Sequence, residues 1–340
     1  MDTAHAREPM VGAPVDSMLY EQLLDRRNKL ESAQTQNLLD LDVSRLLSEV
    51  DAALLRFDKG TYGLCEECHD PIEPERLVAD PLIRLCLGDL TQKQLDAMQI
   101  DLQLAAEIQN GLLPKSGFSS VNWQVDFAYQ PAGVVSGDYV DFIERDGELY
   151  FILGDVSGKG MAASILMSNL HAMFRALVPL GLELCDLMAR ANRMFAESTL
   201  ANQYATLILG KINAAGEVEM CNAGHLPPII VGGDQSIALD STGLPLGMFC
   251  DSSFVSSGVR LAPGETLLLF TDGVTEANDA DGSEFGTDRL RASINGSASG
   301  DPTALLQTCV SAVTAFRNGT DRNDDLTMLA LKYTGDGFRN

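Results

Sequence analysis

The hydrophobic period of this chain first changes close to Pro114, and that change constrains how the chain can fold. Before it, apolar residues recur at helical spacing. Residues 17–57 carry Leu19, Leu23, Leu24, Leu30, Leu38, Leu46, Leu47, Val50, Leu54 and Leu55 with no Gly or Pro between them, which predicts an amphipathic helical pair or one long helix. Residues 91–113 carry a second stripe, Leu95, Met98, Leu102, Ala105, Ile108 and Leu112, closed by Pro114 and Gly117. After it, Val121, Trp123, Val125, Phe127 and Tyr129 alternate as in a strand. Strand-like segments at 138–145 and 148–156 flank Asp146-Gly147, a hairpin turn. Helical patterns at 161–177 and 183–199 are followed by strands at 204–212, 218–221, 227–231, 253–261 and 266–270. Helices at 288–294 and 303–317 and a last strand at 326–333 complete the pattern. Strands at both ends with a helix pair inserted predict an α+β layered domain.

Four stretches of that region set aspartate in or beside a tight or acidic turn: Ser136-Gly137-Asp138-Tyr139, Gly154-Asp155-Val156-Ser157-Gly158-Lys159-Gly160, Thr271-Asp272-Gly273 and Asn323-Asp324-Asp325-Leu326-Thr327. A single Asp-Gly is ordinarily a turn and nothing more. Several aspartates delivered to one end of a sheet make a cluster that cations must neutralise. Oxygen ligands without histidine favour Mg²⁺ or Mn²⁺ over Zn²⁺. Gly158-Lys159-Gly160 lacks the spacing of a nucleotide-binding phosphate loop.

The order and wording of these stretches resemble the PP2C-type metal-dependent serine/threonine phosphatases, in the SpoIIE/RsbU branch, over residues 107–333. The resemblance implies an αββα two-sheet sandwich with two Mn²⁺ or Mg²⁺ ions at one end. It implies Asp138, Asp155, Asp272 and Asp324 as catalytic and metal-ligating carboxylates, Asp155 bridging, with the Val156 backbone carbonyl beside it. Asp325 stands where relatives often carry asparagine. Where animal members have a histidine just after the bridging aspartate, this chain has Ser157, so leaving-group protonation would fall to water. The arginine that grips phosphate in eukaryotic members has no counterpart here. His225, in Asn222-Ala223-Gly224-His225, reads as a loop anchor rather than an acid.

Cys65 and Cys68 are two apart, and seventeen residues separate Cys68 from Cys86. That is zinc-ribbon spacing with Asp89 in the fourth position; His69 is the alternative, and a metal-free fold stays open. The segment around it resembles the DksA/TraR zinc finger. Cys185 and Cys309 lie in apolar helical patterns and read as core.

The formal net charge of −24 argues against nucleic acid and anionic membranes as partners. No apolar run approaches bilayer length and the N-terminus has no apolar signal core, so a cytoplasmic protein is expected. The expected organisation is a disordered tail (1–15), a helical and finger module (16–90), a linker helix (91–113) that pairs with its copy in a homodimer, and the phosphatase-like domain (114–340). The leading reading is a phosphatase acting on a phosphoprotein, an anti-sigma-factor antagonist by analogy with that branch. The alternative is an RNA-polymerase-binding regulator carrying a non-catalytic phosphatase-like domain.

Overall fold

The computed structural model describes residues 13–36, 41–89, 92–200, 203–232, 237–238, 243–294 and 301–335. They divide into two units, Met1–Asp101 and Leu102–Asn340. The division falls inside one helix, so the 91–113 segment is shared between the units, and its last turns belong with the second.

In the first unit the Gly- and Pro-free stretch forms two helices, α1 (Ala13–Gln36) and α2 (Leu41–Asp58). Helix begins at Ala13, inside the stretch 1–15 expected to be disordered. Pro14 is compatible with that, because the first turn needs no amide hydrogen. Residues 1–12 and 37–40 lie outside the described residues. Leu19, Leu23, Val50 and Ala53 bury their side chains with Tyr62, Ile72 and Leu77 of the finger, and Tyr62 stacks on Phe57 at 3.7 Å. A short helix, α3 (Pro74–Ala79), and the long helix α4 (Gln92–Leu112) follow.

The second unit opens with a hairpin, β1 (Phe118–Ser120) and β2 (Trp123–Gln130). The alternation had placed Val121 in a strand. It is instead 71 % exposed at the turn, where Asn122 takes a positive φ of 65°. The next hairpin matches its sequence signal: β3 (Asp138–Arg145) pairs with β4 (Glu148–Val156) from Asp138↔Asp155 to Arg145↔Glu148. Then come α5 (Gly160–Leu177), α6 (Leu184–Ser198), β5 (Ala205–Ile212), β6 (Glu217–Ala223), β7 (Ile229–Val231), β8 (Ile237–Ala238) and β9 (Ser256–Arg260). The unit finishes with β10 (Thr266–Phe270), α7 (Asp272–Thr275), α8 (Gly286–Ile294), α9 (Pro302–Arg317) and β11 (Leu326–Tyr333).

These strands make two antiparallel sheets, ordered β1-β2-β11-β10-β7-β8 and β3-β4-β5-β6-β9. Both faces of each sheet are apolar because both are covered. Val125, Phe151, Leu153, Ile208, Leu267, Leu269, Leu329 and Leu331 fill the space between the sheets. Ile152, Leu207 and Leu209 face Leu170, Phe174, Leu187 and Phe195 of α5 and α6. Leu268, Met328 and Ala330 face Leu290, Leu305 and Cys309 of α8 and α9. The result is the αββα sandwich. Cys309 is buried as expected, whereas Cys185 is half-buried.

One expectation is corrected. The helical run Gly160–Leu180 is long and apolar enough, by length and composition, to cross a membrane. Its apolar residues Ala163, Met167, Leu170 and Phe174 are spent on the second sheet, which accounts for the composition.

Candidate active site

The register of β3 and β4 sets Asp138 directly opposite Asp155 at one end of the second sheet. The facing end of the first sheet carries Asp272, two residues after β10, and Asp324, two residues before β11. A hydroxyl joins the two sheets here: Thr271 Oγ1 donates to Asp138 Oδ2 at 3.0 Å, and the Thr327 amide donates back to Thr271 Oγ1 at 3.1 Å. Both threonines are fully buried.

The backbone is packed hard at this point. A Cβ on Gly273 would lie 1.9 Å from the Asp325 carbonyl oxygen, so only glycine lets the Asp272 turn pass under the Asp324-Asp325 turn. Asp325 is a clamp. Its Oδ1 accepts from the Ala132 amide at 2.7 Å and its Oδ2 from the Gly137 amide at 2.9 Å, which holds the loop that leads into Asp138. From the opposite side, the buried Gln109 of α4 holds Ser136. Neither role was legible from the motifs. The doubled aspartate was the only signal for Asp325.

Burial first, and then the charge of Asp155, raises the Asp138 carboxyl well above the ordinary range. Burial, followed by the charges of Asp272, Asp324, Asp325 and Glu276, pushes Asp155 up to about 8. Asp272 and Glu276 are raised as well, each mainly by burial. Among the described residues a cation that faces them is Lys159, whose Nζ lies 3.1 Å from Asp324 Oδ2 and donates to the Asn323 carbonyl. A set of carboxylates under this mutual repulsion fits hard divalent cations, which would remove the repulsion by taking up the charge. Asp138, Asp155, Asp272 and Asp324 could hold them. Val156 is buried beside them at the end of β4, paired with Ala205. The carboxylate oxygens do not converge as the cysteine sulfurs do. Among the described residues, the three-member ligand group within 4.8 Å is the thiol one. Wider spacing suits ions that keep several waters.

Ser157 ties a loop rather than facing the carboxylates: its amide donates to the Tyr204 carbonyl at 2.8 Å and its hydroxyl accepts from the Tyr204 amide at 2.9 Å. His225 is 3 % exposed. Its Nε2 lies 3.1 Å from the Phe270 carbonyl, which can only accept, so Nε2 carries the proton and Nδ1 accepts from the Thr206 hydroxyl at 2.8 Å. Burial pushes this imidazole down to about 4, so it stays neutral.

In the first unit Cys65, Cys68 and Cys86 bring their sulfurs within 4.8 Å of one another, with Cys68 and Cys86 at 3.6 Å. Tetrahedral zinc thiolates sit about 3.8 Å apart, so the trio fits three corners of such a site. His69, offered as an alternative fourth ligand, is exposed and does not join the group. The Asp89 side chain lies outside the described residues.

An αββα sandwich with aspartates gathered at one end of its sheets defines a PP2C-type phosphatase domain. The chain belongs to the Stage II sporulation protein E (SpoIIE) family, which it matches over residues 145–334. Residues 60–88 match the prokaryotic dksA/traR C4-type zinc finger. Protein IcfG of Synechocystis sp. is 28% identical over 263 residues, 68% of this chain and 41% of that protein. Phosphoserine phosphatase RsbP of Bacillus subtilis is 31% identical over 184 residues, 52% of this chain and 45% of that protein. The chain thus spans less than half the length of these two relatives. The SiaA-PP2C domain of Pseudomonas aeruginosa shares the fold, with a TM-score of 0.64 at 18% identity over 72% of this chain and all of that one.

Proposed function

We propose that the second unit is a metal-dependent protein phosphatase that hydrolyses phosphoserine or phosphothreonine on a regulatory partner protein in the cytoplasm. The observation that carries this reading is Asp155, ringed by Asp272, Asp324, Asp325 and Glu276. Such a ring is costly in a purely structural role and useful around a pair of Mn²⁺ or Mg²⁺ ions. The ligands are Asp138, Asp155, Asp272 and Asp324, with the Val156 carbonyl beside them. When bound, the ions supply an activated water and charge screening for an in-line displacement. The chain's own residues set the geometry. Thr271 orients Asp138, Asp325 and Gln109 fix the loop before it, and Gly273 allows the two sheets' turns to meet.

In this reading the phosphate is presented on a protein. The likeness to a phosphoserine phosphatase supports the same class, and the partner-switching branch to which the motifs point makes an anti-sigma-factor antagonist the substrate to try first. The finger holds zinc through Cys65, Cys68, Cys86 and Asp89. The linker helix α4 pairs with its copy through the exposed Met98, Ile100, Leu104 and Ile108. A scaffold that only binds polymerase has no chemical need for the four aspartates.

The test is hydrolysis of p-nitrophenyl phosphate and a phosphoserine peptide with Mn²⁺, beside Asp155→Ala and Asp272→Ala. Activity in the parent that falls to background in both variants supports the reading. An inactive parent with Mn²⁺ and Mg²⁺ both bound ends it.

A further inference from the structure

Lys159 is the residue of this site that neither the motifs nor the fold assigns. It stands between Gly158 and Gly160, both at positive φ (96° and 70°) with open space where a side chain would point, at the start of α5. Lys159 itself is extended, and its side chain is 64 % exposed. Its ammonium rests on Asp324 and on the Asn323 carbonyl, and it is the cation whose charge Asp272 and Glu276 feel. The neighbouring Arg322 is turned away, onto the Pro131 carbonyl at 3.2 Å.

Charge balance gives this position a purpose. Two divalent cations leave the carboxylates of Asp138, Asp155, Asp272, Asp324, Asp325 and Glu276 undercompensated, and a phosphate ester brings further negative charge. A substrate dianion therefore needs another cation at the mouth of the site. The lysine is long and exposed, sits between two glycines, and is held by a surface ion pair to Asp324, a weak kind of interaction, and by one hydrogen bond to the Asn323 carbonyl.

We propose that Lys159 is the phosphate-gripping residue of this chain, its ammonium leaving Asp324 for a phosphoryl oxygen of the substrate when Asp324 is engaged as a ligand. The proposal rests on the phosphatase reading and sharpens it to an oxyanion with a doubly charged phosphoryl head. The rival role is that Lys159 merely neutralises Asp324 and latches the Asn323 loop.

The two roles separate in binding measurements made without turnover. The full chain is compared with Lys159→Gln, Lys159→Arg and a control, Arg322→Ala. Calorimetry reads Mn²⁺ binding to metal-free protein, then inorganic phosphate binding to Mn²⁺-loaded protein. Lys159→Gln is expected to weaken phosphate about tenfold or more, while Mn²⁺ binds as tightly as in the parent or somewhat tighter, because a competitor for Asp324 is gone. Lys159→Arg keeps phosphate affinity within about threefold, and Arg322→Ala leaves it unchanged. Phosphate binding by Lys159→Gln equal to the parent overturns the proposal. So does a loss of Mn²⁺ affinity that accounts for the whole loss of phosphate, the signature of a latch. Should the parent hydrolyse no phosphoserine peptide yet bind phosphate through Lys159, the phosphatase reading falls and the lysine's role stands.

Discussion

Gln109, in the last turns of α4, reads the backbone of Ser136 from both sides: its Nε2 donates to the Ser136 carbonyl at 2.8 Å and its Oε1 accepts from the Ser136 amide at 2.9 Å. The side chain is 4 % exposed, and Ser136 in turn accepts from the Asp138 amide through its hydroxyl at 3.0 Å. The last turns of α4 thereby hold a residue two positions from a candidate ligand, Asp138. Gln109→Ala orphans a buried donor and a buried acceptor, at about 1–3 kcal/mol each. The expected result is a lowered melting temperature together with a several-fold weaker Mn²⁺ affinity. A fragment of residues 114–340 lacks Gln109 and should show the same loss of Mn²⁺ affinity. Calorimetry on both compares directly with the full chain, and Mn²⁺ affinity untouched in either separates Gln109 from the site.

Gly273 admits no side chain. The Asp325 carbonyl lies 1.9 Å from where Cβ would be, and that atom is backbone, unable to rotate aside. Gly273→Ala should destabilise the second unit by about 3 kcal/mol, the upper range of overpacking, and disrupt Mn²⁺ binding with it. Chemical denaturation and metal titration of the variant check both. Gly282, nine residues on, at φ 78° with open space around it, is a control, since Gly282→Ala carries conformational strain without a clash.

How much of this was written in the sequence depends on the range of the interaction. The β3–β4 hairpin was legible because Asp146-Gly147 fixes it locally, and its register then sets Asp138 against Asp155. The strand at 326–333 and the helix pair followed from period and length alone. The β1–β2 turn was missed because Val121 kept the apolar alternation while Asn122 took the left-handed conformation that ends it. The clamping residues were missed for a different reason. Asp325, Gln109 and Thr271 act on residues 193, 27 and 133 positions away, and nothing in a local pattern encodes such pairs. The candidate carboxylates were found only because a whole ordered set of motifs carried them. Lys159 had been weighed only as part of a phosphate loop and set aside.

Asp155 should make the stability of the metal-free protein fall with rising pH. Its carboxyl is raised from 3.8 to about 8 in the fold, so between those values the folded state holds a proton that the unfolded state has lost. The resulting stability is fully present below about pH 4 and disappears as pH rises through about 8. Melting of the chelator-treated protein between pH 5 and pH 8.5 should drop steadily, and the upward shift caused by Mn²⁺ should grow over the same range as binding ceases to displace a proton. Asp155→Asn should flatten the slope. A slope unchanged by that substitution assigns the effect to another group.

His225 titrates in the opposite sense and for a structural reason. It pins Thr206, the register partner of Asp155, to Phe270, the residue before Thr271, so one imidazole fastens the two sheets at the end where the carboxylates meet. Its value, depressed from 6.5 to about 4, contributes stability that is present above pH 6.5 and lost as pH falls through about 4. His225→Ala removes both hydrogen bonds and leaves a cavity, with about 2–4 kcal/mol of destabilisation expected. Turnover at saturating Mn²⁺ should fall less than tenfold, and no pH–rate limb near 6–7 should vanish with the histidine. Abolished turnover in a folded, metal-loaded His225→Ala protein would make it an acid after all.

The cysteine trio yields a prediction about the first unit alone. Three sulfurs within 4.8 Å, two of them from buried residues, repel one another once ionised, and zinc is the partner that stabilises them as thiolates. The surrounding core is small, built on Leu19, Leu23, Val50, Tyr62, Ile72 and Leu77, so the metal's contribution to folding should be large. Protein purified without chelator should carry one zinc per chain by elemental analysis. Cys86→Ser should lose it and lower the melting of this unit, leaving the unit that holds Asp155 unaffected. Asp89→Ala should retain zinc at weaker affinity if the aspartate is the fourth ligand, and at parental affinity if water completes the site. A chain that carries no zinc and melts identically with and without Cys86 removes the metal from the finger altogether.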